Sequence, residues 1–235
     1  MESNKCLKYD MIYLYLTGFG VFGGGDENPT ELLINEVNNN KNKLFNTKYT
    51  CIKYAEVYEV NSKCVNEKFT LLQNEIEQSM QKNNDKHNIL YVIINYGLNA
   101  IANEMQIETN AVNCINEYPY KNPFDDDNNN ECIIPIDASY DLTHSITSKI
   151  NIPLLIQTLQ NINKNDKVNV IQSFDAGTYL CNYLMYKSIN FSYMNDNVLA
   201  TFVHIPLRNV LSLEDNIILL KKLIEAFELM YIINK

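Results

Sequence analysis

The sequence predicts an α/β protein, a single-domain three-layer α/β/α sandwich built on an open, mainly parallel twisted sheet. Short, wholly apolar runs alternate along the chain with longer segments whose apolar residues recur at helical spacing. Strands that are apolar on both faces are typical of a parallel sheet covered by helices on both sides. A chain of 235 residues, 46% of them hydrophobic, can bury one sizeable core, so we expect one domain over residues 1–235.

The predicted elements follow one another in regular alternation. Five strands are expected, at 11–17, 49–57, 89–96, 168–172 and 198–204. Five helices are expected between and after them, at 30–38, 61–80, 153–160, 178–188 and 214–232. Four segments rich in asparagine and lysine are predicted to be polar surface loops, near 38–43, 81–88, 121–130 and 161–167.

Composition argues against several classes of protein. A net charge of −9 and a single arginine, Arg208, do not suit nucleic-acid binding. The apolar run at 11–16 is too short to span a membrane and lacks a cleavage site, so we expect a cytoplasmic protein without membrane attachment. The six cysteines form no C-x-x-C pair and only three histidines accompany them, so free thiols are expected, with neither metal nor cofactor.

The segment that precedes the fourth predicted helix contains the candidate nucleophile. An apolar strand leads into the turn Ala176-Gly177-Thr178, and Cys181 then falls in the first turn of the helix. Unpaired N–H groups and the positive end of the helix dipole favour an anion at that position, which makes a thiol more reactive. The alternative is a buried cysteine that packs as a small apolar residue.

A glycine-rich loop follows the first predicted strand. The run Gly18-Phe19-Gly20-Val21-Phe22-Gly23 matches the G-x-G-x-x-G pattern of dinucleotide-binding proteins. However, Pro29 and Thr30 place the start of the helix well after the last glycine of the pattern. We therefore interpret Phe19 and Phe22 as apolar walls of a binding pocket. A dinucleotide-binding oxidoreductase is therefore the weakest of three functional hypotheses, and the other two are given below.

Four blocks of sequence, in order, resemble the signatures of the pyroglutamyl-peptidase I family of cysteine peptidases. They are the glycine loop with Asn28-Pro29-Thr30, the glutamate block at 108–113, the cysteine block at 176–182 and the histidine block Phe202-Val203-His204-Ile205-Pro206. The resemblance covers about residues 12–206. It implies a three-layer α/β/α fold and a cytosolic enzyme that removes N-terminal pyroglutamate from peptides. It implies no metal, and it leaves the formation of a homo-oligomer open.

The resemblance also implies roles for particular residues. Cys181 would attack the carbonyl group, His204 would accept and return a proton, and Glu108 would orient the imidazole. Sequence position alone does not distinguish Glu108 from Glu104. The residues expected to contact the substrate are Phe19, Phe22, Leu98, Tyr179 and Leu180, with Leu98 acting through its main chain.

The chain departs from the family pattern at two positions. Many members have an arginine near the position of Ala102 and another after the glutamate block, where this chain has Tyr118. If such an arginine holds the carbonyl oxygen, its loss would slow catalysis, because one oxyanion donor is worth roughly 2.7–4 kcal/mol. The second hypothesis is therefore a catalytically idle relative that binds pyroglutamyl peptides or a protein partner. The retained triad favours the enzyme.

Overall fold

The computed structural model describes residues 9–83, 88–117, 132–162 and 169–232. The strands in these ranges are β1 (Met11–Phe19), β2 (Thr50–Tyr58), β3 (Ile89–Leu98), β4 (Met105–Glu108), β5 (Asn110–Val112), β6 (Ile115–Glu117), β7 (Cys132–Ile134), β8 (Ser145–Thr147), β9 (Val170–Ser173) and β10 (Val198–Ile205). The helices are α1 (Pro29–Asn40), α2 (Ser62–Asn83), α3 (Ile152–Ile162), α4 (Leu180–Tyr193) and α5 (Leu213–Tyr231).

The central sheet has six strands in the order β2-β1-β3-β10-β4-β9. Strands β2, β1, β3 and β10 are parallel, which confirms the prediction of a mainly parallel sheet. Strand β4 pairs antiparallel to β10 and parallel to β9, so the last two strands run against the other four. The short strands β5 with β8 and β6 with β7 form two separate ribbons.

Helices cover both faces of this sheet, as predicted. One apolar core lies under α1, α3 and α5, with Leu33, Leu155 and Leu223 among its buried residues. The other lies under α2 and α4 and includes Phe69 and Leu184. Burial of both faces explains why the central strands are apolar without alternation. Among the described residues, no helix is long and apolar enough to cross a membrane.

The predicted loop at 38–43 is wrong, because this segment is helical. Helix α1 continues to Asn40, and Lys41–Phe45 forms a π-helical turn. The side chain of Asn40 donates to Glu36 Oε1 at 2.8 Å, and Phe45 at the end of the turn is buried. Buried packing thus outweighs the loop-like composition. In the predicted loops at 81–88 and 161–167, residues 81–83 and 161–162 are the ends of α2 and α3. The segments at 84–87, 121–130 and 163–167 lie outside the described residues.

Candidate active site

The pairing of β10 with its two neighbours brings the predicted catalytic residues together. In the sheet, His204 lies beside Gly97 of β3, and Phe202 lies opposite Glu108 of β4. Residues two apart on a strand point to the same face, and so do residues paired across neighbouring strands. His204, Phe202 and Glu108 therefore lie on one face of the sheet. The second apolar core, which includes Phe202 and the buried residues of α4, occupies this face. The sheet therefore presents the glutamate and the histidine to the helix that contains Cys181.

Glu108 and His204 form a buried ion pair. His204 Nδ1 lies 2.7 Å from Glu108 Oε1, and the two residues are 5% and 0% exposed. Burial lowers the pKa of His204, but its hydrogen bonds to Cys181 and Glu108 outweigh burial and raise the pKa to about 9. By contrast, Glu104 accepts a hydrogen bond from Asn169 in an exposed setting. The geometry therefore selects Glu108 over Glu104 as the partner of the histidine.

Cys181 is the second residue of α4 and is half-buried, with a free thiol. Its thiol contributes to the raised pKa of His204, and since Nδ1 of the imidazole faces Glu108, Nε2 is the nitrogen left for the sulfur. The turn before the helix requires Gly177, which has φ of +76° and whose N–H donates to Asp175 Oδ1 at 2.9 Å. A protonated imidazole and the first turn of a helix both stabilise negative charge at the sulfur.

The start of α4 is anchored by Asn182, a residue to which sequence reasoning assigned no role. Its side-chain amide donates to the carbonyl oxygens of Val112 and Cys114, and its Oδ1 accepts from the N–H of Val112, all at 2.7–2.8 Å. Every polar atom of this buried amide is thus used to tie α4 to β5 and the residues after it. These contacts fix the first turn of α4 relative to β5.

Gly97 is a second residue that sequence reasoning missed. A Cβ atom at this position would lie 2.9 Å from the sulfur of Cys181 and 2.6 Å from the ring of Phe202. The Phe202 ring in turn packs against the His204 ring, with 4.9 Å between the two centroids. A glycine in β3 is therefore what lets the Cys181 sulfur and the Phe202 ring approach the strand closely. The only signal in the sequence is a glycine within an apolar strand.

The predicted substrate contacts fall into two groups. Phe19 and Leu180 are buried in the core under α2 and α4. Leu98 and Tyr179 are half-buried, and Phe22 is 43% exposed. Phe22 lines an open pocket of about 600 Å³ at the carboxyl ends of β1 and β2, together with Gly20, Val21, Glu31, Val57, Tyr58, Glu59, Val60 and Asn61. The aromatic wall expected on the glycine loop is thus exposed at Phe22 and buried at Phe19.

The glycine loop does not have the geometry of a dinucleotide site. Helix α1 begins only at Pro29, after an N-cap in which Asn28 Oδ1 accepts from the N–H of Thr30 at 3.0 Å, so the predicted late start is confirmed. No helix N-terminus therefore lies within the glycine motif to receive a pyrophosphate. Gly18 serves packing instead, since a Cβ there would lie 2.8 Å from the side chain of Ile34 on α1.

The departures from the family pattern leave the site without a nearby arginine in the described ranges. Arg208 pairs with Glu27 at 2.9 Å on the surface. Ala102 is buried, and Tyr118 lies outside the described residues, as does His87. Over the ranges that the structure describes, no three His, Cys, Asp or Glu side chains converge so as to hold a metal ion. The site as described consists of a thiol, an imidazole and a carboxylate.

The chain is similar in sequence to proteins of known family. Residues 12–218 match the family model described as pyroglutamyl peptidase. A pyrrolidone-carboxylate peptidase from Thermococcus litoralis is 27% identical over 194 residues, which are 81% of this chain and 74% of that protein.

Two solved structures share the fold. The pyrrolidone carboxyl peptidase from Thermococcus litoralis has a TM-score of 0.63 at 21% identity and covers 92% of both chains. A mutant pyrrolidone carboxyl peptidase from Pyrococcus furiosus has a TM-score of 0.64 at 21% identity and covers 92% of this chain and 97% of its own.

Proposed function

The chain belongs to the pyroglutamyl peptidase family, and from that premise we propose how it removes N-terminal pyroglutamate from peptides. Cys181 is the nucleophile, His204 transfers the proton, and Glu108 keeps the imidazole oriented and charged. The observation that carries this assignment is the buried hydrogen bond between Glu108 and His204, whose pKa is raised by Cys181 as well as by Glu108. A nucleophile, a base and a carboxylate that orients the base form the catalytic unit of a cysteine peptidase.

The reaction proceeds in two steps. The Cys181 thiolate attacks the carbonyl carbon of the pyroglutamyl residue, and as the C–N bond breaks, protonated His204 gives its proton to the departing amine. Water, deprotonated by His204, then attacks the thioester, which releases pyroglutamate and restores the thiol. Because the pKa of His204 is raised to about 9, the acid needed for the first step is present at neutral pH.

Recognition of pyroglutamate depends on shape more than on charge. This residue is a neutral five-membered lactam without a free amine, so apolar walls and a few backbone hydrogen bonds suit it. Phe22 and the half-buried Leu98 and Tyr179 have surface available for such contacts. Phe19 and Leu180 belong to the apolar core behind them, and we assign these two the support of the pocket wall.

The setting follows from the chemistry. Cys181 must be a free thiol to act, so we propose that the whole chain is one catalytic domain that works in the reducing cytoplasm. Its partners are peptides with N-terminal pyroglutamate, and a net charge of −9 argues against nucleic acid. Sedimentation of the purified protein would show whether it forms a homo-oligomer.

The test is release of a fluorophore from a pyroglutamyl-amide substrate under reducing conditions. Wild type should turn over, Cys181→Ser should not, and Cys51→Ala should match wild type, because Cys51 is a free, half-buried thiol in β2. Turnover that persists in Cys181→Ser would contradict the assignment of the nucleophile. A folded wild type without turnover would leave the idle binding relative as the better description.

A further inference from the structure

A chain of hydrogen-bonded, buried polar side chains runs from β1 over the neighbouring strand β3 to α4. Thr17 of β1 donates from its hydroxyl to Asn95 Oδ1 at 2.8 Å, and Asn95 Nδ2 donates to the hydroxyl of Ser188 at 2.9 Å. Ser188 in turn donates to the carbonyl oxygen of Leu184 at 2.8 Å. All three side chains are at most 1% exposed. Burying polar groups is costly unless they are hydrogen-bonded, and each group in this chain is.

This polar chain lies in register with the nucleophile. Asn95 and Gly97 are two residues apart on β3, so they face the same side of the sheet. Ser188 and Cys181 are seven residues apart on α4, which is about two helical turns, so they share one face of the helix. The helix therefore meets β3 at two points, where Ser188 meets Asn95 and where the Cys181 sulfur comes close to the backbone of Gly97.

We propose that Asn95 and Ser188 are positioning residues, whose hydrogen bond fixes where α4 lies along β3 and so holds the Cys181 sulfur between Gly97 and His204. The proposal rests on the role of Cys181 given above. Apolar packing alone has no direction, whereas a hydrogen bond sets both distance and angle. Since one residue of helix rises 1.5 Å and a misplacement of about 1 Å can cost about 100-fold in rate, a small slide of α4 matters.

The other anchors of α4 act elsewhere. Asn182 ties its first turn to β5, which belongs to a separate ribbon. At the far end, Lys149 donates to the carbonyl oxygens of Ser192 and Asn195 at 2.6 and 2.9 Å. The bond between Asn95 and Ser188 joins the middle of the helix to the central sheet, on the strand beside His204.

Helix α4 also contains a matched control. Ser188 and Ser192 are both fully buried, and each donates to a carbonyl oxygen of its own helix, at 2.8 and 2.7 Å. Ser188 additionally accepts the hydrogen bond from Asn95. Comparing Ser188→Ala with Ser192→Ala therefore separates the link to the sheet from the general effect of losing a buried serine.

The experiment measures kcat and KM on the pyroglutamyl-amide substrate, and the rate at which iodoacetamide modifies Cys181 across pH. Ser188→Ala should lower kcat by about tenfold to 100-fold with KM within about twofold. It should also slow the modification of Cys181 by iodoacetamide at neutral pH, because the sulfur no longer lies in its wild-type position beside His204. Ser192→Ala should stay within about twofold of wild type in both readouts.

A second variant guards against misfolding. Thr17→Val/Asn95→Leu/Ser188→Ala removes the whole polar chain and leaves no orphaned group, so it should fold and yet keep the low kcat. Wild-type kcat and alkylation in a folded Ser188→Ala or triple variant would overturn the proposal, as would an equal loss in Ser192→Ala. Failure of the triple variant to fold would also overturn the proposal, since these hydrogen-bonded side chains would then be needed for folding itself. If wild type shows no turnover, the proposed function fails. The alkylation rates of the variants then still test whether Asn95 and Ser188 position Cys181.

Discussion

The catalytic centre and the glycine loop lie on the same sheet, yet they are built in different ways. Glu108 and His204 project from paired strands and are almost completely buried. The loop from 20 to 28 is largely exposed, contains two glycines with positive φ, and is joined to the chain after β10 by the surface ion pair of Arg208 with Glu27. Only its base is firmly held, where Asn28 donates to the carbonyl oxygen of Gly20 at 2.9 Å.

The difference separates two tasks. The proton-transfer groups depend on strand register and burial, which a single substitution disturbs strongly. The proposed substrate contacts at Phe22 depend on an exposed turn, where a substitution changes binding with little effect on the fold. Substitutions in the buried centre should therefore lower kcat, and those in the loop should raise KM.

The largest effect is expected at His204. His204→Ala should lower turnover by about 10³–10⁴-fold, because it removes the only proton-transfer group that contacts Cys181 in the proposed mechanism. His144→Ala is the matched control, since His144 stacks on the Tyr140 ring at 4.1 Å, away from the triad. Steady-state kinetics with circular dichroism of both variants checks this. Equal losses in the two would mean that the base has been misassigned.

Glu108→Gln should follow, with a loss of about 100-fold, the lower end of what general acid–base catalysis contributes, because the amide keeps the shape of the carboxylate but not its charge. In wild type His204 is protonated below about pH 9, so turnover should fall as pH rises through about 9. Without the carboxylate the pKa of His204 is lower, and this alkaline limb should move to lower pH. The pH profile of kcat measures the shift, with Glu104→Gln as control. An unmoved limb would make Glu108 structural only.

Gly97→Ala should lower kcat by about tenfold to 100-fold, since a Cβ would lie 2.9 Å from the Cys181 sulfur and would displace it. Overpacking should also cost about 1–3 kcal/mol of unfolding free energy. Gly20→Ala is the control, because the nearest atom to a Cβ there is 3.7 Å away. Kinetics and urea unfolding of both variants test this. A fully active Gly97→Ala would show that the close approach is dispensable.

The smallest effect is expected in the loop. Phe22→Ala should raise KM about tenfold with kcat nearly unchanged, because the ring contributes apolar contact worth about 1–2 kcal/mol. Stability should hardly change, since Phe22 is 43% exposed. Leu71 on α2, which is 58% exposed and does not line the pocket, provides the control Leu71→Ala. A fall in kcat with KM unchanged would mean that the loop takes part in the chemistry. It would contradict the division of tasks between the loop and the buried centre.

Periodicity along the chain predicted the main elements of the fold. The five predicted strands and five predicted helices all occur, because each is long enough to show its apolar pattern. Strands β4, β5, β6, β7 and β8 were missed, since runs of three or four residues carry little periodic signal. The predicted loop at 38–43 failed because burial of Phe45 draws a polar segment into an extra helical turn.

The candidate site was predictable only in part. The apolar strand, the turn and the helix start pointed to Cys181, and the family resemblance named His204 and Glu108, which are 96 residues apart. Their contact depends on the register of β4 against β10, which no local pattern encodes. The roles of Gly97, Asn95 and Ser188 depend on how α4 lies on β3, and that is visible only in three dimensions.

The most direct test is capture of the acyl-enzyme. The protein is mixed with a pyroglutamyl-amide substrate, quenched in acid during turnover, digested and analysed by mass spectrometry. We expect one pyroglutamyl group as a thioester on the peptide that contains Cys181, and none in Cys181→Ser. An adduct on another residue, or turnover with no adduct at any quench time, would contradict the claim that Cys181 carries the reaction.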